Sequence, residues 1–381
     1  MNIKPSILSH LSRVTSSTRF IPAIDGLRFL AIMLVVLYHL VGDLWKRHPD
    51  VHLIPELRGV NSLLQSANFG VDMFFVISGF VLALPFAKQH LNGEHPVSLR
   101  QYFVRRVTRI EPPYIIALSV WTIAIATFRG RPILSFVHDF LLSLFYLNNF
   151  FQADLPKICF VGWSLEVEVQ FYILAPAIAA VFLLKNTFWR RLLIVAAISL
   201  FAILQIHIGP GKNVLLFMHY FLLGFLLCDY YVLEWQEKAA RPVLWDIAGT
   251  CAWIGLVYLL VVGPVDFAAV VCLFFAYAGV LRGTLLSKIF RQPLLVTVGG
   301  MCYTIYLYHS LILSALFKTF DFYLPTDSYE IALLYRVVLF IPAVIAVSAI
   351  IFAVTERPFM QTTWTTALTK YGKKLFQTST T

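Results

Sequence analysis

Apolar residues run along this chain in long blocks, not in alternation. Ten stretches, 24–42, 69–86, 110–128, 160–184, 191–208, 214–231, 245–262, 265–281, 294–317 and 331–354, are rich in Leu, Ile, Val and Phe and nearly free of charge. Most reach the roughly 18 residues that carry a helix across about 30 Å of hydrocarbon. In lipid only helices and closed barrels satisfy every backbone N–H and C=O, and barrel strands would show alternation over roughly ten residues. The pattern therefore predicts an all-α polytopic membrane protein, a bundle of about ten transmembrane helices. The first block is not read as a cleavable leader, because it lacks a small-residue cleavage site and contains Arg28 and His39.

One further apolar stretch, 133–147, is short and contains His138 and Asp139. Whether it crosses decides the orientation of everything after it. With the N-terminus cytoplasmic and this stretch not crossing, the inside segments hold 20 Lys and Arg and the outside loops 8; if it crosses, the split becomes 11 to 17. The positive-inside rule selects the first arrangement. The expected organisation is a cytoplasmic tail over 1–23, a membrane domain over 24–359 and a cytoplasmic tail over 360–381, with 133–147 at the outer surface or re-entrant.

Composition agrees with this reading. Of the 381 residues, 59% are hydrophobic and 13% charged, against about 25% charged in soluble domains. The net charge of +10 is explained by the inside loops, and with no basic soluble domain a nucleic-acid partner is not expected. Cys159, Cys228, Cys251, Cys272 and Cys302 are scattered singly, as small core hydrophobes and not as a disulfide or zinc framework; no metal is expected.

Ionisable residues inside a membrane are costly and mark function by default. Arg28 and His39 share the first helix. Eleven residues make about three turns, so they lie on nearly one face, roughly 16 Å apart along the axis. Imidazole exchanges protons near neutral pH and suits a general base. Asp72, at the start of the second helix, could fix its tautomer, or could simply favour a helix N-terminus. Ser78-Gly79 permits close backbone approach. In RRVTRIEPPY, Arg105, Arg106 and Arg109 stand at i,i+3 and i,i+4 and can converge on one anion, such as a phosphate; Pro112 and Pro113 suit a first helical turn. In WSLEVEVQFY, Glu166 and Glu168 are two apart and point to nearly opposite sides, so at most one faces a shared cavity. In YTIYLYHS, Tyr303, Tyr306 and His309 form a polar stripe. The orientation sets His39, Asp72, the two glutamates and His309 in the outer half, with Arg28, the 105–109 arginines and Glu356 at the cytoplasmic side.

At these residues the chain resembles the acyltransferase-3 family of membrane O-acyltransferases, over almost its whole length, from Ile24 to Phe359. The ordered motifs DGLR…YH, GVDMFFVISGF, RRVTRIEPPY, WSLEVEVQFY, YTIYLYH and ERP carry the likeness. Glu166 and Val161-Gly162 depart from the family pattern. The resemblance implies transfer of an acyl group, usually acetyl, from acyl-CoA to an extracytoplasmic hydroxyl on a glycan or lipid-linked sugar, in a bacterial inner membrane. By position, His39 and Arg28 match the family's essential pair, Arg106 and Arg109 its donor-binding pair, and Glu168 the glutamate of its Trp-Ser-Leu motif. The donor's phosphates would then sit on Arg105, Arg106 and Arg109, with Asp72 or Glu168 orienting His39; Ser78, Tyr303, His309 and Glu356 would complete the polar cavity. An acyl-histidine route stays open. Many relatives carry a fused esterase-like domain, for which this chain has no room. The loops 43–68 and 129–159 are the expected acceptor-facing parts. A proton-coupled transporter is the alternative class, and a binding relative without turnover a third.

Overall fold

The computed structural model describes Leu11 and residues 20–48, 58–151, 155–205, 212–237, 239–263, 267–323 and 328–360. Most of the two expected tails falls outside these residues. Within them every regular element is helical. Eight helices are long and apolar enough to cross a membrane, or nine with one bent pair taken as a single span. The stretch expected as a further crossing, Phe267–Arg282, has 16 residues, a little short of the usual length.

The helix α1 (Pro22–Arg47) lies at the centre, followed by the short α2 (Arg58–Gln65) and then α3 (Gly70–Asn92). Against α1 pack α3, the bent pair α13 (Pro293–Gly300) and α14 (Cys302–Phe320), and α15 (Tyr329–Thr355). Next to α3 stands α9 (Val214–Leu233). Their backbones touch: a Cβ on Gly79 would meet the Phe221 carbonyl oxygen at 2.1 Å, and one on Gly224 the Val76 oxygen at 2.3 Å. Where lipid removes any hydrophobic drive between helices, such close approach is what holds them together. The ring of Phe171, on α7 (Trp163–Ile178), stacks on Phe221 at 3.9 Å. Further out stand α8 (Thr187–Leu204) and α10 (Pro242–Val262), while α11 (Phe267–Arg282) reaches α3 through Tyr277, whose hydroxyl donates to the Met73 carbonyl at 3.0 Å, and α12 (Leu285–Phe290) abuts α1 at Gly26.

Two buried ionic clusters fasten this bundle, and the sequence reading singled out neither. Asp229 on α9 accepts from Arg190 and Arg191 of α8, the second at 2.7 Å. Asp321, after α14, accepts from Arg336 of α15 and bonds His48 Nε2, past the end of α1, at 2.7 Å. Each pairing leaves a fully buried guanidinium neutralised, as burial requires.

Two expectations about individual helices change, and the placing of a third stretch becomes visible. The helix α4 runs from Leu99 to Arg129, so it continues through the arginines, and Pro112 and Pro113 lie in its interior. There they withhold N–H bonds from the Thr108 and Arg109 carbonyls. The predicted span 294–317 is broken, with α13 and α14 meeting at 73° across Met301. The stretch 133–147, expected at the outer surface or re-entrant, folds back onto the bundle. It forms a 3-10 turn and α5 (Val137–Leu144), which run back along α4. The Tyr114 hydroxyl donates to the Ser143 carbonyl at 3.1 Å and Tyr146 to Glu111 at 2.8 Å, although Tyr114 lies roughly 22 Å along α4 from Arg129 at its C-terminal end. Tyr146 takes a left-handed φ of 58°, which turns the chain towards the short α6 (Asn148–Phe151). Glu166 anchors that turn: Asn148 Nδ2 donates to it at 2.6 Å and the Asn149 N–H at 2.8 Å.

Candidate active site

A cavity of about 880 Å³ opens among α1, α3, α4, α7 and the break between α13 and α14. That is near the upper end for a small-molecule site. Five arginines line it, Arg28, Arg100, Arg105, Arg106 and Arg109, against two glutamates, Glu168 and Glu356. Ser78 and Tyr303 also line it. The sequence reading named all of these except Arg100.

Helical spacing explains how each wall presents its groups. On α7, Ser164, Glu168 and Tyr172 follow at i, i+4 and i+8 and share the cavity face. Glu166, two residues from Glu168, is turned away to its asparagines. Glu168 accepts from the Ser78 hydroxyl of α3 and from Tyr172. On α4, Arg106 stacks over the Tyr102 ring at 3.7 Å and faces Tyr172 at 5.9 Å. These rings, with the Tyr102 carbonyl that accepts from Arg106 Nη1 at 3.0 Å, fix the guanidinium at the cavity wall. Arg28 is tied to Asp25, one turn earlier on α1.

The break at Met301 gives the cavity its floor. Gly299 lies so close to α1 that a Cβ there would stand 1.8 Å from the Asp25 carbonyl oxygen. After the turn, the first N–H groups of α14 have no helical partner. Glu356, following α15, fills that role: its Oε2 accepts from the Thr304 N–H at 3.1 Å and from the Thr304 hydroxyl. A carboxylate is well suited to the positive end of a helix. Glu356 thus lines the cavity and caps α14 at once.

At the other end the cavity stops at Tyr306. Its hydroxyl meets the Ser164 hydroxyl at 2.7 Å and donates to the Val161 carbonyl. Behind this partition stand His39 and His309, whose rings approach with His309 Nε2 at 3.2 Å from His39 Nδ1. His309 is fully buried, with its Nδ1 at 2.8 Å from the Tyr306 carbonyl and 3.1 Å from that of Ile305. His39 is partly exposed, beside Tyr38 and Phe160, with its Nδ1 at 2.9 Å from the Val35 carbonyl.

The carboxylates expected to orient His39 do not reach it. Among the described residues no hydrogen bond joins His39 to Asp72 or to Glu168. Gly70 packs on Ala31 and Val35, so α3 begins one to two turns short of His39 and runs away from it towards Ser78 and Arg28. Asp72 has Lys212 and Tyr220 as its electrostatic neighbours instead. Glu168 belongs to the arginine cavity. The groups passed over in the sequence, Arg100, Ser164 and Tyr172, were signalled by position: one is another arginine on the face of α4, and two repeat the spacing of Glu168.

Comparison with known proteins agrees with the layout of motifs. The sequence profile of the acyltransferase-3 family, described as an acyltransferase domain, matches residues 21–353. A Staphylococcus aureus (strain COL) protein whose name assigns it O-acetyltransferase activity provisionally is 25% identical over 329 residues, covering 78% of this chain and 51% of that protein. The O-acetyltransferase OatA of Staphylococcus aureus (strain NCTC 8325 / PS 47) is 25% identical over 324 residues, covering 77% of this chain and 50% of OatA. The chain thus spans about half the length of the curated relatives it matches. No solved structure matches it.

Proposed function

This chain belongs to the acyltransferase-3 family, and from that premise we propose that it moves an acyl group, acetyl above all, from acyl-CoA to a hydroxyl on a glycan or lipid-linked acceptor across a bacterial inner membrane. Its termini face the cytoplasm, by the distribution of Lys and Arg. The observation that carries this reading is one cavity with five arginines in its walls and the imidazole pair directly behind its far end.

The arginines take the donor's phosphates. Their planar forks match phosphate oxygens, and Arg106 is already held flat by its two tyrosines. Arg28 stands about 16 Å along α1 from His39, so the donor's arm runs beside α1 and brings its thioester to Tyr306. Passage of the thioester to His39 requires the Tyr306 side chain to swing from Ser164. The acceptor comes from the other side, where His39 is partly exposed beside Tyr38 and Phe160.

His39 then acts as general base. It takes the proton of the acceptor hydroxyl as that oxygen bonds to the thioester carbonyl carbon. The C–S bond breaks, and the proton passes from His39 to the departing sulfur. Acceptor ester and CoA thiol leave, with atoms and charge balanced.

Purified protein offered acetyl-CoA and a sugar acceptor tests this, with CoA thiol release and acceptor acetylation measured together. His39→Ala is expected to lose transfer and still bind CoA; full transfer by that variant refutes the base assignment. Arg106→Ala and Arg109→Ala are expected to bind CoA more weakly, and unchanged affinity refutes the donor site.

A further inference from the structure

The nitrogen positions around His309 have a chemical consequence for His39. Backbone carbonyls only accept hydrogen bonds. The Nδ1 of His309 lies against two of them, Tyr306 and Ile305, so it carries the proton. In a neutral ring the other nitrogen, Nε2, is then a bare acceptor. That acceptor points at His39 Nδ1 at 3.2 Å, and the Val35 carbonyl lies 2.9 Å from the same atom. Both neighbours of His39 Nδ1 accept, so His39 Nδ1 must donate, and its own Nε2 is left bare. Among the described residues nothing hydrogen-bonds that nitrogen.

We propose that His309 is a positioning residue that holds His39 in its Nδ1–H tautomer, so that Nε2 is available to take the acceptor's proton. The proposal rests on His39 being the base, as argued above. It gives His309 the place that a carboxylate holds in hydrolase triads, where the third group fixes tautomer and ring orientation. The substitution suits the surroundings. A carboxylate buried there would need pairing in every state, whereas a neutral imidazole costs little to bury. When His39 becomes protonated, its Nδ1–H still finds the His309 Nε2 lone pair, and His309 stays anchored by Tyr306 and Ile305. Tyr306 and His309 sit one turn apart on α14, so the group closing the cavity and the group orienting the base move with one helix.

The shape of the variants separates this role from mere packing. In His309→Gln the side-chain amide reaches the place of Nε2 and can accept from His39; in His309→Asn it stops near Nδ1 and cannot. His309→Gln is expected to retain kcat within about tenfold of wild type, the cost of one altered hydrogen bond. His309→Asn and His309→Phe are expected to lose roughly 10²–10⁴-fold in kcat, the usual span of a general-base contribution, with the KM for acetyl-CoA unchanged. If the Gln, Asn and Phe variants bind CoA normally and fall equally, or none falls, the proposal is overturned. If His39→Ala also transfers at full rate, the base assignment itself has failed, a distinct outcome. ¹⁵N spectra of the wild-type histidines supply a readout that needs no altered protein in the measured sample. Both rings are expected protonated at Nδ1 and bare at Nε2, and an Nε2–H tautomer at His39 overturns the proposal.

Discussion

The approach of α13 to α1 can be tested at one atom. Gly299→Ala adds a Cβ whose ideal position lies 1.8 Å from the Asp25 carbonyl oxygen and 2.9 Å from the Phe29 nitrogen. Both are backbone atoms of a central helix and cannot rotate aside. Ordinary contact begins near 3.4 Å, so the two helices must part by about 1.6 Å. Overpacking of this kind typically costs about 1–3 kcal/mol. The effect is local to function as well, because Asp25 holds Arg28, and Arg28 and Gly299 both line the cavity. A displaced Arg28 weakens one charge-assisted contact to the donor, which at about 1.5 kcal/mol is roughly tenfold in CoA affinity. Gly42→Ala is the matched control on α1: nothing lies within 4 Å of its Cβ position, and it sits in a helix. There alanine should stabilise by roughly 0.5–1 kcal/mol, by restricting the unfolded chain. Thermal unfolding in detergent and CoA titration of the three proteins decide the matter. If Gly299→Ala melts and binds CoA as the wild type does, the tight crossing is not what sets the cavity floor.

The other expectations concern charge and hydrogen bonding. Asp229→Asn leaves Arg190 buried beside a neutral partner, while Arg191 keeps Glu234; a loss of about 3–5 kcal/mol is expected, read as a collapse in folded yield after detergent extraction. Arg106→Lys keeps the charge but loses the flat stack on Tyr102 and Tyr172, so CoA affinity should fall by about tenfold in a titration, near the effect of a desolvated cation–π contact. Glu356→Gln keeps an acceptor for Thr304 but removes the charge at the start of α14; a loss of roughly 0.3–1 kcal/mol in unfolding free energy is expected, with CoA binding tightened as one negative group leaves the arginine cavity.

How much of this was written in the sequence depends on the kind of contact. Blocks of apolar residues located the helices, because burial in lipid acts on each helix separately. Hydropathy cannot see a helix continue into polar sequence, so α4 was cut at Ile110 although it begins at Leu99. Nor does it see a break inside an apolar run; Gly299-Gly300 is the local sign of the bend, and what Gly299 packs against, the Asp25 backbone, is distant in sequence. Residues on one helix were legible: Arg105, Arg106 and Arg109 do share a cavity wall, and Ser164 and Tyr172, though passed over, repeat the spacing of Glu168. Pairings between helices were not. Asp72 was set beside His39 because both begin or end near the outer side, but the axial offset of α3 against α1 is fixed by Gly70 on Ala31 and Val35. Arg336 and Asp229, charges set within apolar runs, carry the same sequence signal as Arg28, and each is explained by a partner on another helix or beyond its end.

A helix broken within the bundle is also how many transporters build a binding site, so the break needs its own explanation. In that architecture the positive end of a half-helix is left open to face an anionic substrate. Here the corresponding end of α14 meets Glu356 of the same chain, through the Thr304 N–H and hydroxyl. A site already filled by a carboxylate cannot serve as the anion receptor. What the bend does provide is a starting point: α14 begins at the cavity floor, and successive turns then present Cys302, Tyr306 and His309 along one side. On α1, Arg28 and His39 make the same journey. Two helices thus run from the arginine cavity to one pair of imidazoles, the arrangement that the proposed donor path requires. An unbroken crossing through 294–317 would have carried the TVGG segment straight past α1 and left Tyr306 and His309 without that shared origin.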